Sequence, residues 1–283
     1  MSREQFELRA IKVLKVLGVL FFGLMAIFPF YWMVVLSFRP LQEVLLDPTH
    51  MWPTWADIRT LSTYKGVLFE QHFTRFIRNS AVVALTTTTL TLVLAILGAY
   101  AVARLRFRGR DIMSSGILLI YMFPAIVLAI PLFVIFSRLH LRNSLSGLVI
   151  VYMAQTLPVA LYMLRSYFQT IPQDLEEAGM IDGCNRFDVI WRITIPLAIP
   201  AIASVALYVF MIAWNEFLFA LLFLLERPEV WTLSLGVQQL DTQEVPKTWL
   251  MAGAVIITVP IIVIFFFFER FLVSGLTAGA VKG

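Results

Sequence analysis

Ile171-Pro-Gln-Asp-Leu-Glu-Glu-Ala-Gly-Met-Ile-Asp-Gly-Cys184 is a polar stretch set between long apolar runs. Pro172 suits a first helical turn, where its missing N–H costs nothing. Asp174, Glu176 and Glu177 sit where a helix N-terminus favours acids, and Gly183 suits a helix stop. The spacing predicts a short helix over about 172–182. Leu175, Ala178, Gly179 and Asp182 are spaced i, i+3, i+4, i+7, which places them on one slim face. A slim helix of this kind can sit deep in a groove of another protein. Read from spacing alone, it can equally rest on lipid headgroups as an amphipathic loop. A second helical stretch follows, with Phe187, Ile190 and Trp191 expected on one side, and Pro196 and Pro200 mark the start of the next apolar run.

The flanking sequence explains why such a loop matters. The 283 residues are 60% hydrophobic and only 14% charged, against about 25% charged in soluble domains. Mean hydropathy is +0.84. That much apolar surface points to lipid as the solvent and makes soluble enzyme classes poor candidates. The formal charge is +4 and the isoelectric point about 9.3. Basic chains can bind nucleic acid, but here the arginines cluster where they orient spans, so no nucleic-acid partner is expected. The single cysteine, Cys184, allows no internal disulfide, and no metal-ligand spacing is present.

A span needs about 20 apolar residues. Six runs qualify, near 13–37, 78–103, 112–137, 145–165, 198–224 and 250–272. In lipid each must satisfy its own backbone, so each is a helix. The expected fold is an all-α polytopic membrane protein with six transmembrane helices in one domain, 1–283. The first run is too long for a signal-peptide core and ends in Phe28, Phe30, Tyr31 and Trp32, so it reads as an uncleaved span with an aromatic belt. Arg104, Arg106, Arg108 and Arg110 follow the second run, and Arg3, Arg9, Lys12 and Lys15 precede the first. The positive-inside rule puts both groups, and both termini, in the cytoplasm. Arg138 and Arg142 dissent. In this orientation 38–77 and 225–249 lie outside, and 166–197 is the longest cytoplasmic loop.

Within that loop, Glu177-Ala178-Gly179, three residues, Gly183, nine residues, Ile193, one residue and Ile195-Pro196 resemble the EAA loop of binding-protein-dependent ABC importer permeases. Gly179 replaces the third small residue of that pattern and Ile195 its leucine; both replacements are conservative. The resemblance extends over nearly the whole chain and is nearest to the sugar-importer branch and its maltose-type second permease. Phe73-Thr-Arg-Phe-Ile-Arg-Asn79-Ser80 looks like the family's lead into the second span, and Ala213-Trp214-Asn215-Glu216-Phe217 like its fifth-span segment. Gly275-Leu-Thr-Ala-Gly279-Ala-Val-Lys282-Gly283 is similar to the maltose-permease tail. The resemblance implies a type I ABC importer permease fold. It makes Leu175, Glu177, Ala178, Gly179, Asp182 and Gly183 a coupling helix docked in a cleft of an ATPase subunit. It also implies that the tail, 273–283, carries Gly279, Lys282 and Gly283 to the interface between two ATPase subunits. Without the resemblance this tail reads as a glycine-rich frayed terminus.

Substrate-path candidates come from polar groups inside apolar runs. An unpaired acid at the bilayer centre costs about 2.5–3.5 kcal/mol on insertion scales, so Glu216 is expected to face a bundle interior or a watery path. Asn215 beside it both donates and accepts, and Trp214 offers a face for stacking on a sugar ring. The three point in different directions on a helix, and Glu216 as interhelical glue is an equal reading. Tyr152 and Gln155 cluster with Thr156 and Pro158 in the fourth run; Tyr121 lies near Pro124 and Pro131 in the third. Ala95, Ala99 and Ala103 form a small-residue ridge for close helix contact.

No G-x-x-x-x-G-K-[ST] loop is present, so ATP and Mg are expected on partner ATPases and no cofactor on this chain. The resemblance implies a bacterial inner-membrane location and four partners: a second homologous permease, an ATPase dimer, an extracytoplasmic solute-binding protein and a sugar, with a di- or oligosaccharide expected. The absence of an intramembrane arginine cluster favours a neutral solute over a phosphate. The competing class is an ion-coupled secondary transporter with Glu216 as proton carrier. That class calls for more paired intramembrane charges than these spans contain.

Overall fold

The computed structural model describes residues 3–50, 52–110, 112, 116, 119 and 124–280; for 3–10, 59–60, 125 and 272–280 it describes the backbone alone. Among the described residues all regular structure is helical. The principal helices are α1 (Arg3–Phe38), α2 (Phe73–Arg104), α3 (Ala125–Arg138), α4 (Leu145–Phe168), α5 (Gln173–Ile181), α6 (Ile199–Asn215), α7 (Leu218–Leu224) and α8 (Lys247–Ala280).

Among the described residues, four stretches are long and apolar enough to cross a membrane: Ile11–Phe38, Phe73–Arg104, Leu145–Phe168 and Lys247–Phe271. They contain the expected first, second, fourth and sixth spans. Arg186–Leu197 and Ile199–Asn215, bent by 81° between them, reach that length and apolarity only when taken together. α3 covers the second half of the expected third run; most of the first half, with Tyr121, lies outside the described residues.

The fifth run differs from a continuous helix. α6 stops at Asn215, Glu216 adopts extended backbone (φ −62, ψ 130), and α7 starts at Leu218. The cause is Glu216 itself. Its carboxylate accepts the N–H groups of Phe219 (2.9 Å) and Ala220 (3.3 Å), a local bond that competes with helix continuation and caps the next one. α8 also departs from the expected boundary, running to Ala280 rather than ending near 272, so Gly279 lies on a helix. Lys282 and Gly283 lie outside the described residues.

The chain forms two compact units, one of residues 1–72 and 239–256, the other of 73–238 and 257–283. In the second, the ridge Ala95, Ala99, Ala103 is buried against Ala160, Leu164, Val205 and Val209. Gly98 lets α4 approach so closely that a Cβ there would meet Leu161 Cδ2 at 2.6 Å. Small residues thus permit the backbone proximity expected of them. In the first unit, Arg39 is buried and its guanidinium donates to the carbonyls of Glu43, Asp47 and His50 at 2.9–3.1 Å, which ties down the turn after α1. The Ser37 and Tyr64 hydroxyls share a hydrogen bond of 2.7 Å. From Ile11 to Phe28, α1 exposes large apolar side chains on every side, as a helix does when lipid or another chain covers it.

Candidate functional site

The loop 166–197 folds as its sequence predicts, with one turn of the helix rotated. α5 starts just after Pro172 and ends before Gly183, whose φ of +93° is a left-handed stop. Gly183 N–H donates to Met180 O (3.2 Å) and Cys184 N–H to Gly179 O (3.0 Å), which closes the C-terminal carbonyls. Asn185 then caps the next turn in a reciprocal pair with Asp188.

Rotation decides which side chains are outward. Leu175, Glu177, Ala178, Ile181, Asp182 and Gly183 are exposed, while Gly179 faces inward. The expected face of Leu175, Ala178, Gly179 and Asp182 is therefore divided. The inward side is set by Glu176 and Gly179, three residues apart on one face. Gly179 packs on Ile193, whose terminal Cδ1 would have to move to admit a Cβ there. The next turn is divided too: Ile190 is buried, whereas Phe187 and Trp191 are about two-thirds exposed, at 69% and 68%. Ile181 is 86% exposed, so all three leave large apolar side chains open to water, an exposure that water does not favour.

The inward side is an ion pair that spacing could not reveal. Glu176 is 5% exposed. Its carboxylate accepts from Arg104 Nε (2.9 Å), Tyr100 Oη (3.2 Å) and Thr194 Oγ1 (3.3 Å). The same guanidinium donates to Ile171 O at 2.7 Å. A buried charge persists only when paired and hydrogen-bonded, and here α2, α5 and the turn 190–194 supply the partners. Nothing in one sequence connects Arg104 to Glu176 across 72 positions.

The path candidates are placed as follows. Tyr152 is fully buried and donates to Glu216 Oε2 at 2.8 Å. With its two backbone bonds, Glu216 is thus fully engaged. Trp214 is 3% exposed; its indole N–H bonds Ile257 O (2.9 Å) and its ring stacks on Phe210, an arrangement that serves packing. Asn215 is exposed and donates back to Met211 O. Gln155 is half-buried. The structure brings Tyr152 and Glu216 together and leaves Trp214 and Asn215 on other sides.

Two further polar clusters hold the opposite end of the second unit. Asn79 donates to Glu229 O (3.0 Å) and Trp231 O (2.9 Å), and Ser80 accepts Leu233 N–H at 2.7 Å. The lead into α2 therefore anchors 228–233. Arg142, one of the two dissenters from the charge rule, pairs with Glu226 at 2.6 Å and lies over the Phe133 ring. Asn143 also donates to Glu226. These bonds hold the Glu226 carboxyl below its ordinary value, Asn143 first and Arg142 second.

Apolar helices long enough to cross a membrane, with a loop helix held on its inner side by a buried ion pair, define a polytopic membrane protein. The family described as "Binding-protein-dependent transport system inner membrane component" matches residues 92–278, and the chain belongs to that family. The inner membrane ABC transporter permease protein YcjP of Escherichia coli is 40% identical over 94% of this chain and 95% of its own. The trehalose/maltose transport system permease protein MalG of Thermococcus litoralis is 38% identical, with 96% and 97% covered. A solved bacterial ABC transporter involved in the import of the polysaccharide alginate shares the fold, with TM-score 0.83 at 23% identity over 96% of this chain and 99% of that one. The resemblance read from the EAA loop thus holds along nearly the full length, and the ion-coupled alternative finds no support.

Proposed function

We propose that this chain is one of two homologous permease subunits of an ATP-driven importer for a di- or oligosaccharide. The observation that carries the reading is the outward apolar face of the loop 166–197, anchored by Glu176 and Arg104. An ATPase subunit docks on that face, and Ile181, Phe187 and Trp191 are the groups it removes from water. The chain works as one permease domain, lies in the bacterial inner membrane, and has both termini and the loop in the cytoplasm. Arg104, Arg106, Arg108 and Arg110, with the basic residues of the N-terminal segment, outnumber Arg138 and Arg142 and favour that orientation.

ATP and Mg bind the two partner ATPases, and this chain holds no cofactor and hydrolyses nothing. Closure of the ATPase dimer moves the docked helix and turns the spans from inward-open to outward-open. A solute-binding protein delivers sugar to the outer face, and hydrolysis resets the cycle. The tail with Gly279, Lys282 and Gly283 reaches the ATPase interface. Sugar chemistry is supported by relatives whose names include trehalose/maltose, diacetylchitobiose and arabinooligosaccharide transport.

The test is gentle extraction of the chain with an N-terminal tag, followed by identification of stoichiometric companions. A second permease and two ATPases are expected. Glu177→Arg and Gly183→Trp are expected to weaken ATPase recovery and abolish ATP-coupled uptake. Recovery of the chain alone, or full transport by both variants, would sink the docking claim.

A further inference from the structure

We propose that Glu176 and Arg104 form a latch that makes the docked helix and the inner end of the second span move as one body. The proposal rests on the importer reading above and adds the residues that carry the motion. Arg104 is the last residue of α2, and Glu176 lies in the first turn of α5. Both side chains are 6% exposed.

Three features make this a transmission device rather than a simple stabiliser. First, a buried ion pair is weak evidence for stability, because well-packed apolar groups of similar size often do as well. What the pair supplies is a fixed, directional geometry between two elements. Second, the bonds converge. Arg104 reaches both Glu176 and Ile171 O, while Tyr100 and Thr194 hold the same carboxylate. The guanidinium fork therefore grips the two ends of the turn that leads into α5. Third, Glu176 is the buried acid of a loop whose Leu175, Ile181, Phe187 and Trp191 are exposed to a partner. Force applied to those residues by a partner passes through Glu176 onto the end of α2, with Gly179 packed against Ile193 beside it.

The test uses the full complex, with spin labels at Gln173→Cys on α5 and Leu97→Cys on α2 in a Cys184→Ser background. Both label sites are exposed and lie outside the docking groups named above. Their separation is measured without nucleotide and after trapping with ATP and vanadate. The latch predicts an unchanged distance in the otherwise native chain. Glu176→Gln keeps the shape but removes the charge, so the distance should shift on trapping while the ATPases still co-purify. The reversed pair R104E with E176R should restore the fixed distance, which a residue needed only for folding would not do. An unchanged distance in E176Q, or a shift already present in the native chain, overturns the proposal. Should E176Q fail to assemble, the reversed pair decides: assembly with a fixed distance supports the latch, and failure to assemble overturns it. A native chain that brings no ATPase with it overturns the importer reading itself, a result visible before any distance is measured.

Discussion

Glu216 shows how an acid is kept inside an apolar run without acting as a proton carrier. Its oxygens are occupied by Tyr152 Oη and by the N–H groups that open α7. Loss of a helix cap costs about 0.5–2 kcal/mol, so Glu216→Ala should lower the melting temperature of the detergent-purified protein. Glu216→Gln, whose amide oxygen still accepts, should lower it less. Equal losses in the two would contradict the capping role. Glu226 gives a pH signature of opposite location. Its carboxyl is held below the ordinary 4.5 by Asn143 and Arg142. The folded state therefore binds this proton less readily than the unfolded chain, and the contribution is present above 4.5 and fades as pH falls through the lowered value. The melting difference between wild type and Glu226→Gln should shrink on acidification from neutral pH. A difference that grows would refute the assignment.

At the scale of elements, close approach depends on glycine at a few points and on side-chain bridges at others. A Cβ on Gly147 would collide with Leu141 O, a backbone atom that cannot swing aside. Gly147→Ala should then destabilise the start of α4 by about 1–3 kcal/mol, the range for overpacking, read by thermal unfolding. Asn79 bridges α2 to 228–233 through two carbonyls. Asn79→Ala leaves those acceptors unpaired, at about 1–3 kcal/mol. Hydrogen exchange should rise at Trp231 and Leu233 before it rises in α4. The capping and stop signals of α5 were legible in advance, because Pro172, the acids and Gly183 act through the local backbone. Its rotation was not, since burial of Gly179 depends on Ile193 and that of Glu176 on Arg104.

For the whole molecule, the exposed surfaces define what must cover it. Ile181, Phe187 and Trp191 lie on the loop 166–197, and α1 is apolar around its circumference from Ile11 to Phe28. Interface energy concentrates in a few buried aromatic and aliphatic anchors. Trp191→Glu should therefore reduce ATPase recovery at least about tenfold, equivalent to about 1.4 kcal/mol, in quantitative co-purification. Asp182→Asn, at the rim of the same face, should change it far less. Similar losses from both would show that the aromatic face is not the anchor.

Composition and the apolar runs determined the class by themselves: a chain this poor in charge must form lipid-facing helices, since backbone groups in lipid have no other partners. Local chemistry likewise settled the ends of α5, and the pattern around Glu177 and Gly183 carried the family resemblance. Only the tertiary structure decided that Glu216 ends a helix, that Trp214 is spent on packing against Phe210 and Ile257, and that Glu176, not Glu177, is the buried acid. Each involves a partner far along the chain, Tyr152, Ile257 and Arg104 in turn, beside the local contacts of Glu216 and Trp214. A bond between residues 72 positions apart leaves no periodic trace in sequence, because it is the packing of helices, not their formation, that brings the two charges together.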